Sequence, residues 1–114
     1  MNKITTKVYG IKNCDTVKKA LKYLIRFNVA YEFIDFRLSP ISRNEYQGMI
    51  DSIGFEALIN KRSSTYRLLS ENEKNNINYD LISKYPTLIK RPVLTHNGKM
   101  IVGYSENKYS DFFS

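Results

Sequence analysis

The residue best equipped for chemistry is the single cysteine, Cys14, which sits in the run Tyr9-Gly10-Ile11-Lys12-Asn13-Cys14-Asp15-Thr16. A cysteine thiolate is a strong nucleophile near neutral pH, so its surroundings decide what the chain can do. On the N-terminal side, Ile4, Thr6 and Val8 alternate with Lys3, Thr5 and Lys7, the period of a strand with one buried face. On the C-terminal side, Val17, Ala20, Leu21, Leu24 and Ile25 form one helical stripe, with Lys18, Lys19, Lys22 and Arg26 opposite. Cys14 is therefore expected at or beside the first turn of a helix. There the first backbone N–H groups lack intrahelical partners and the macrodipole adds partial positive charge, so the thiol pKa should fall below its free value of about 8.5. Lys12 and the nearby basic residues act in the same direction. The competing fate, a small buried core residue, suits an apolar stripe better than this polar junction.

Other chemistries are narrowed by composition. One cysteine excludes an internal disulfide, and one cysteine with one histidine, His96, leaves no metal centre to expect. At 114 residues the chain is expected to be one domain with one core. Its 42% hydrophobic and 25% charged residues are an ordinary globular balance. No apolar run could span a membrane, and Met1-Asn2-Lys3-Ile4 lacks the apolar stretch of a secretory signal, so a cytoplasmic location is expected. The net charge of +7 points to an anionic partner: a phosphate-like oxyanion, an acidic peptide such as glutathione, an acidic protein surface or nucleic acid. The plain alternative is that lysine keeps the chain soluble. Nucleic acid is not expected, since neither a block of like charges nor an interleaved aromatic and basic pattern is present.

The elements that must position the thiol follow in order. The first helix should run to about Phe27 with Asn28 as a left-handed cap, and 30–36 reads as a second strand, making a right-handed βαβ unit with parallel strands. After Pro40, Ser42 and Glu45 have capping-box spacing while Ile41 and Tyr46 have staple spacing, so a helix with Met49, Ile50 and Ile53 on its apolar face should run to Gly54. A short helix over 55–59 leads into Asn60-Lys61-Arg62-Ser63-Ser64-Thr65-Tyr66-Arg67, expected as a loop at the site. Ser70 and Glu73 form a second capping box before a helix carrying Ile77, Leu81 and Ile82, ended by Tyr85-Pro86. Residues 39–85 thus read as a helical insertion between two β-containing parts, 1–38 and 86–114. His96-Asn97-Gly98-Lys99 lies between apolar runs, the signal of an antiparallel hairpin, and His96 beside that turn is expected to face solvent. Ser105 should cap a last helix that turns Tyr109, Phe112 and Phe113 to the core. Pro92 removes a ladder donor at the start of a strand, so it is either an edge proline or a cis proline that turns the backbone towards the site. The order β-α-β, helices, β-β-α is that of an α/β, thioredoxin-like fold with a mixed four-stranded sheet.

Four stretches in the right order carry a resemblance across nearly the whole chain: residues 9–16, the basic stretch 58–67, Leu88-Ile89-Lys90-Arg91-Pro92-Val93, and Val102-Gly103-Tyr104-Ser105-Glu106. With them the sequence resembles the arsenate reductase-like (ArsC) family of the thioredoxin-like superfamily, most closely its YffB branch, which is related to the Spx regulators. The resemblance implies that Cys14 is the catalytic nucleophile and that Arg91 and Arg62 bind the oxyanion or the carboxylates of glutathione, while Lys12, by its charge, is a weaker candidate for the same role. It places Asn13 and Pro92 as structural residues of the site. Two departures are informative. The third arginine of arsenate reductases falls on Gly103, and the second cysteine of the Cys-x-x-Cys switch of Spx regulators falls on Val17. A lone thiol needs an external thiol to resolve its covalent intermediate, which is compatible with glutathione as co-substrate and with glutaredoxin as a partner, no cofactor being bound. The resemblance thus implies a glutathione-dependent thiol reductase, an oxidoreductase working by redox chemistry at one sulfur. The alternative it implies is a non-catalytic Spx-like module that binds the transcription machinery, with RNA polymerase as the partner.

Overall fold

The computed structural model describes residues 5–114. Residues 1–4 of the N-terminal run read above, Ile4 among them, lie outside the described residues. The elements in order are β1 (Thr6–Gly10), α1 (Asp15–Arg26), β2 (Tyr31–Asp35), α2 (Arg43–Ile53), α3 (Phe55–Leu58), α4 (Ser64–Leu68), α5 (Glu71–Lys74) and α6 (Tyr79–Lys84). A 3₁₀ turn at Pro86–Leu88 then leads to β3 (Val93–His96), β4 (Lys99–Val102) and α7 (Glu106–Phe112).

The strands form one mixed sheet in the order β2-β1-β3-β4, with β1 parallel to β2 and the other neighbours antiparallel. This is the α/β, thioredoxin-like arrangement expected. Strand alternation sends Val8, Leu94 and Phe33 to one face and Tyr9, Val93 and Ile34 to the other. On the first face α1 brings Ala20, Tyr23 and Leu24, and α7 brings Tyr109 and Phe112. On the second, the helices between β2 and β3 bring Tyr46, Met49, Leu58, Leu69 and Ile82. Because helices cover both faces, β1 buries Tyr9 as well as Thr6 and Val8, and only Lys7 of its side chains is exposed.

Local chemistry explains most element ends. Ser42 closes a reciprocal capping box with Glu45 at the start of α2. Asn28 takes φ 56° just past α1, and Asn97 and Gly98 take φ 48° and 80° in the hairpin turn. Ser105 accepts a hydrogen bond from Lys108 N and so caps α7.

Several expectations need correction. Ile25 is 64% exposed, because it lies about 100° around α1 from Leu24 and Tyr23 takes the buried place instead. The stretch 60–67 is not all loop: Ser63 accepts from Tyr66 N and starts α4. The second capping box, Ser70 with Glu73, opens only the single turn α5, and α6 has its own cap, Asn78, so the one helix expected there is two. His96 does not face solvent. Its place opposite Thr6 in the β1–β3 ladder half-buries it, with Nδ1 2.7 Å from Thr6 Oγ1 and the Phe113 ring centroid 5.0 Å away.

Candidate active site

The site is built where β1 ends and α1 begins. Gly10 is needed there for space, since a Cβ at this position would stand 2.8 Å from Val17 Cγ2. That close approach sets α1 against the sheet. Asp35, paired with Gly10 at the end of β2, accepts from Lys12 N at 3.3 Å and from Arg37 N at 3.0 Å. Its carboxylate therefore braces the loop that delivers the thiol. Cys14 then occupies the N-cap position of α1 with extended backbone, and its carbonyl accepts the first helical bond, from Lys18 N at 3.0 Å.

The Cys14 side chain is partly buried. Burial pushes the thiol up. The Val17 N–H, the Arg91 guanidinium and the Thr16 N–H outweigh it, and the net result is a thiol held below its ordinary pKa. The sulfur closes no cap hydrogen bond of normal geometry, so these donors act on it mainly through their field at the helix start.

Arg91 reaches this place from the segment that leads into β3, the strand paired with β1. The Arg91–Pro92 peptide is cis, Pro92 is buried, and the Pro92 carbonyl accepts from Gly103 N at 2.8 Å. Arg91 Nη1 donates to the carbonyl oxygens of Thr87 at 3.2 Å and Ile89 at 3.4 Å. Its buried Nε has no hydrogen-bond partner among the described residues.

The other sequence candidates are placed differently. Arg62 is exposed, and its backbone N–H is held by Asn60 Oδ1 at 3.1 Å. Lys12 is exposed and joined to the site through its backbone, at Asp35. Neither side chain is among the groups that move the Cys14 thiol. Asn13 is exposed beside Cys14. Gly103 adopts φ 83°, a left-handed conformation. Val17 is fully buried. Among the described residues no cluster of His, Cys, Asp and Glu could hold a metal ion, and no helix is long and apolar enough to cross a membrane.

Sequence reasoning missed Asp35, Thr65 and Thr87. Asp35 carried a weak signal, an acidic residue at the end of a strand whose side chain turns back to a backbone two residues on. The two threonines, whose Oγ1 atoms lie 2.7 Å apart, carried none, because that contact joins segments 22 residues apart.

Comparison with known proteins agrees with this fold. The ArsC family model matches residues 9–112. The chain is 40% identical over 111 residues to an uncharacterized protein of Haemophilus influenzae, covering 94% of this chain and 97% of that one. It is 29% identical over 107 residues to the global transcriptional regulator Spx of Streptococcus pyogenes, covering 90% and 80%. Among solved structures, a YFFB protein superposes with a TM-score of 0.89 at 33% identity, covering 96% of this chain and 100% of that one.

Proposed function

Since this chain belongs to the ArsC family, we propose that it is a glutathione-dependent thiol reductase whose single nucleophile is Cys14. One observation carries the reading: the N-cap thiol of α1 lies beside the Arg91 guanidinium and is held below its ordinary pKa. A thiolate so held is present at neutral pH and attacks either a disulfide sulfur or an oxyanion centre. In the disulfide case, the Cys14 thiolate attacks the glutathione sulfur of a mixed disulfide. A Cys14–glutathione disulfide forms and the substrate leaves as its thiolate. A second glutathione thiolate then attacks the glutathione sulfur of that adduct, releases Cys14 as thiolate and leaves as glutathione disulfide. The net exchange converts the mixed disulfide and one reduced glutathione into the free substrate thiol and glutathione disulfide.

Arg91 has the larger role, in lowering the thiol and in offering its charge to the carboxylates of glutathione. Arg62, exposed on the loop before α4, and Lys12, on the loop before Cys14, supply further positive charge to an incoming anion. Glutaredoxin is an alternative to free glutathione in the resolving step. The reaction we propose is cytoplasmic, where thiols are kept reduced.

The test is turnover of a mixed disulfide between glutathione and a small thiol, followed by the consumption of reduced glutathione. Turnover and a covalent glutathione adduct are expected in the wild type, neither in Cys14→Ser, and turnover at least tenfold lower in Arg91→Ala. A wild-type protein that forms no adduct and turns over no such disulfide or oxyanion sinks the proposal.

A second reading has its own support in the Spx relative, a global transcriptional regulator: a non-catalytic module that binds an acidic surface of the transcription machinery, which we propose to be RNA polymerase. The exposed basic face of α1, with Lys18, Lys19, Lys22 and Arg26, suits such a surface. The two readings separate at the thiol. Only the enzyme requires a reactive Cys14.

A further inference from the structure

The Arg91 guanidinium is anchored by backbone, not by carboxylates. Both of its acceptors, the Thr87 and Ile89 carbonyls, belong to the 3₁₀ turn before β3 or follow it directly. Wherever that turn sits, the guanidinium follows. Two backbone bonds tie one side of the turn to the α3 end, Asn60 N to Leu88 O at 2.7 Å and Lys90 N to Leu58 O at 2.8 Å, around the isolated Ile59–Ile89 bridge. A single side-chain bond ties it to α4: Thr65 Oγ1 lies 2.7 Å from Thr87 Oγ1 in a half-buried setting. α4 also packs Tyr66 against the core and ends at the buried Leu69, so the hydroxyl pair is its polar link to the turn beside that apolar contact.

We propose that the Thr65–Thr87 hydroxyl pair positions Arg91 against Cys14, with Thr87 presenting its carbonyl to the guanidinium and its hydroxyl to α4. Neither threonine touches the reacting atoms. They are positioning residues, and through them the helical segment between β2 and β3 sets the reactivity of a thiol on the other part of the fold. The inference rests on the function proposed above, because it acts through the Arg91–Cys14 relationship.

The test measures the rate of Cys14 alkylation against pH, by mass spectrometry, in Thr87→Val, Thr65→Val, the double variant and Thr87→Ser, with thermal melting alongside. The other charged groups next to Cys14 in the chain, Lys12 and Asp15, stay in every variant, so differences between profiles report Arg91. Each valine variant is expected to lose roughly threefold in alkylation rate below the thiol pKa, with the profile moved to higher pH. The double variant should lose no more than either single one, as partners in one bond do. Thr87→Ser keeps the hydroxyl and should retain the wild-type profile. Profiles unchanged in the valine variants, with or without a lower melting temperature, overturn the inference. Arg91→Ala separates the two levels. If it shifts the profile and the threonine variants do not, only the positioning role falls. If Arg91→Ala leaves the profile where it was, the function proposed above and this inference fall together. In the Arg91→Ala background Thr87→Val should have no further effect on the profile.

Discussion

The Arg91 guanidinium lies beside the Cys14 thiol, although one ends the approach to β3 and the other begins α1. Parallel pairing of β1 with β2 and antiparallel pairing of β1 with β3 set the two chain segments side by side at one end of the sheet. The cation and the helix start act on the same sulfur.

That relationship predicts a pH profile. Alkylation of Cys14 in the wild type should titrate below the free thiol value of about 8.5, and Arg91→Ala should move it upwards. The same shift links to stability. Because the thiol is held low in the folded protein, the thiolate stabilises the fold above the unfolded pKa, and that contribution is lost as pH falls through the folded pKa. Denaturant titrations should therefore show stability gained by the wild type, relative to Cys14→Ser, as pH rises across that window. A profile identical in wild type and Arg91→Ala contradicts the account.

Tyr9 donates to Glu45 Oε2 at 2.8 Å and joins β1 to the capping box of α2. Burial chiefly, and then the carboxylate beside it, pushes the Tyr9 phenol far above its ordinary pKa. Tyr9→Phe should cost about 1.5 kcal/mol in urea unfolding at neutral pH. The sign at high pH is opposite to that of the thiol. A raised phenol stabilises the fold fully below about pH 10 and the contribution fades as pH rises through the folded pKa. The difference between wild type and Tyr9→Phe should shrink in alkaline solution, and a difference that grows would refute this.

Gly10→Ala should destabilise by about 1–3 kcal/mol, since its Cβ would meet Val17 Cγ2 at 2.8 Å and a short β-branched side chain has little room to yield. Adding Val17→Ala should recover part of the Gly10→Ala loss, measured as a non-additive double-mutant cycle. Strict additivity would mean that the crowding is not between these residues.

Gly103 has open space around a built Cβ and a backbone at φ 83°. Its replacement by Ala and by Arg should therefore cost the same, about 1 kcal/mol, because the penalty lies in the backbone and not in the side chain. Chemical denaturation of both variants checks it. An Arg variant as stable as wild type would show that this position accepts an arginine at no backbone cost.

Much of this architecture was readable along the chain, and for a common reason. The Ser42–Glu45 box, the Asn28 and Asn97-Gly98 turns, the Ser105 cap and the strand periods are contests between residues a few positions apart, which a linear sequence displays directly. Cys14 at a helix start belongs to the same class. The order of elements and the motifs around Cys14, Arg91 and Pro92 then pointed to the family and its fold. Tertiary structure decided what local rules cannot reach. It brought Arg91 to the thiol while Arg62 and Lys12 stayed exposed, and it drew His96 into the aromatic packing of α7 through its ladder place opposite Thr6. It also paired Thr65 with Thr87 and divided one expected helix into α5 and α6. Each of these depends on distances between segments remote in the chain, and such distances exist only once the sheet has paired and both of its faces are covered.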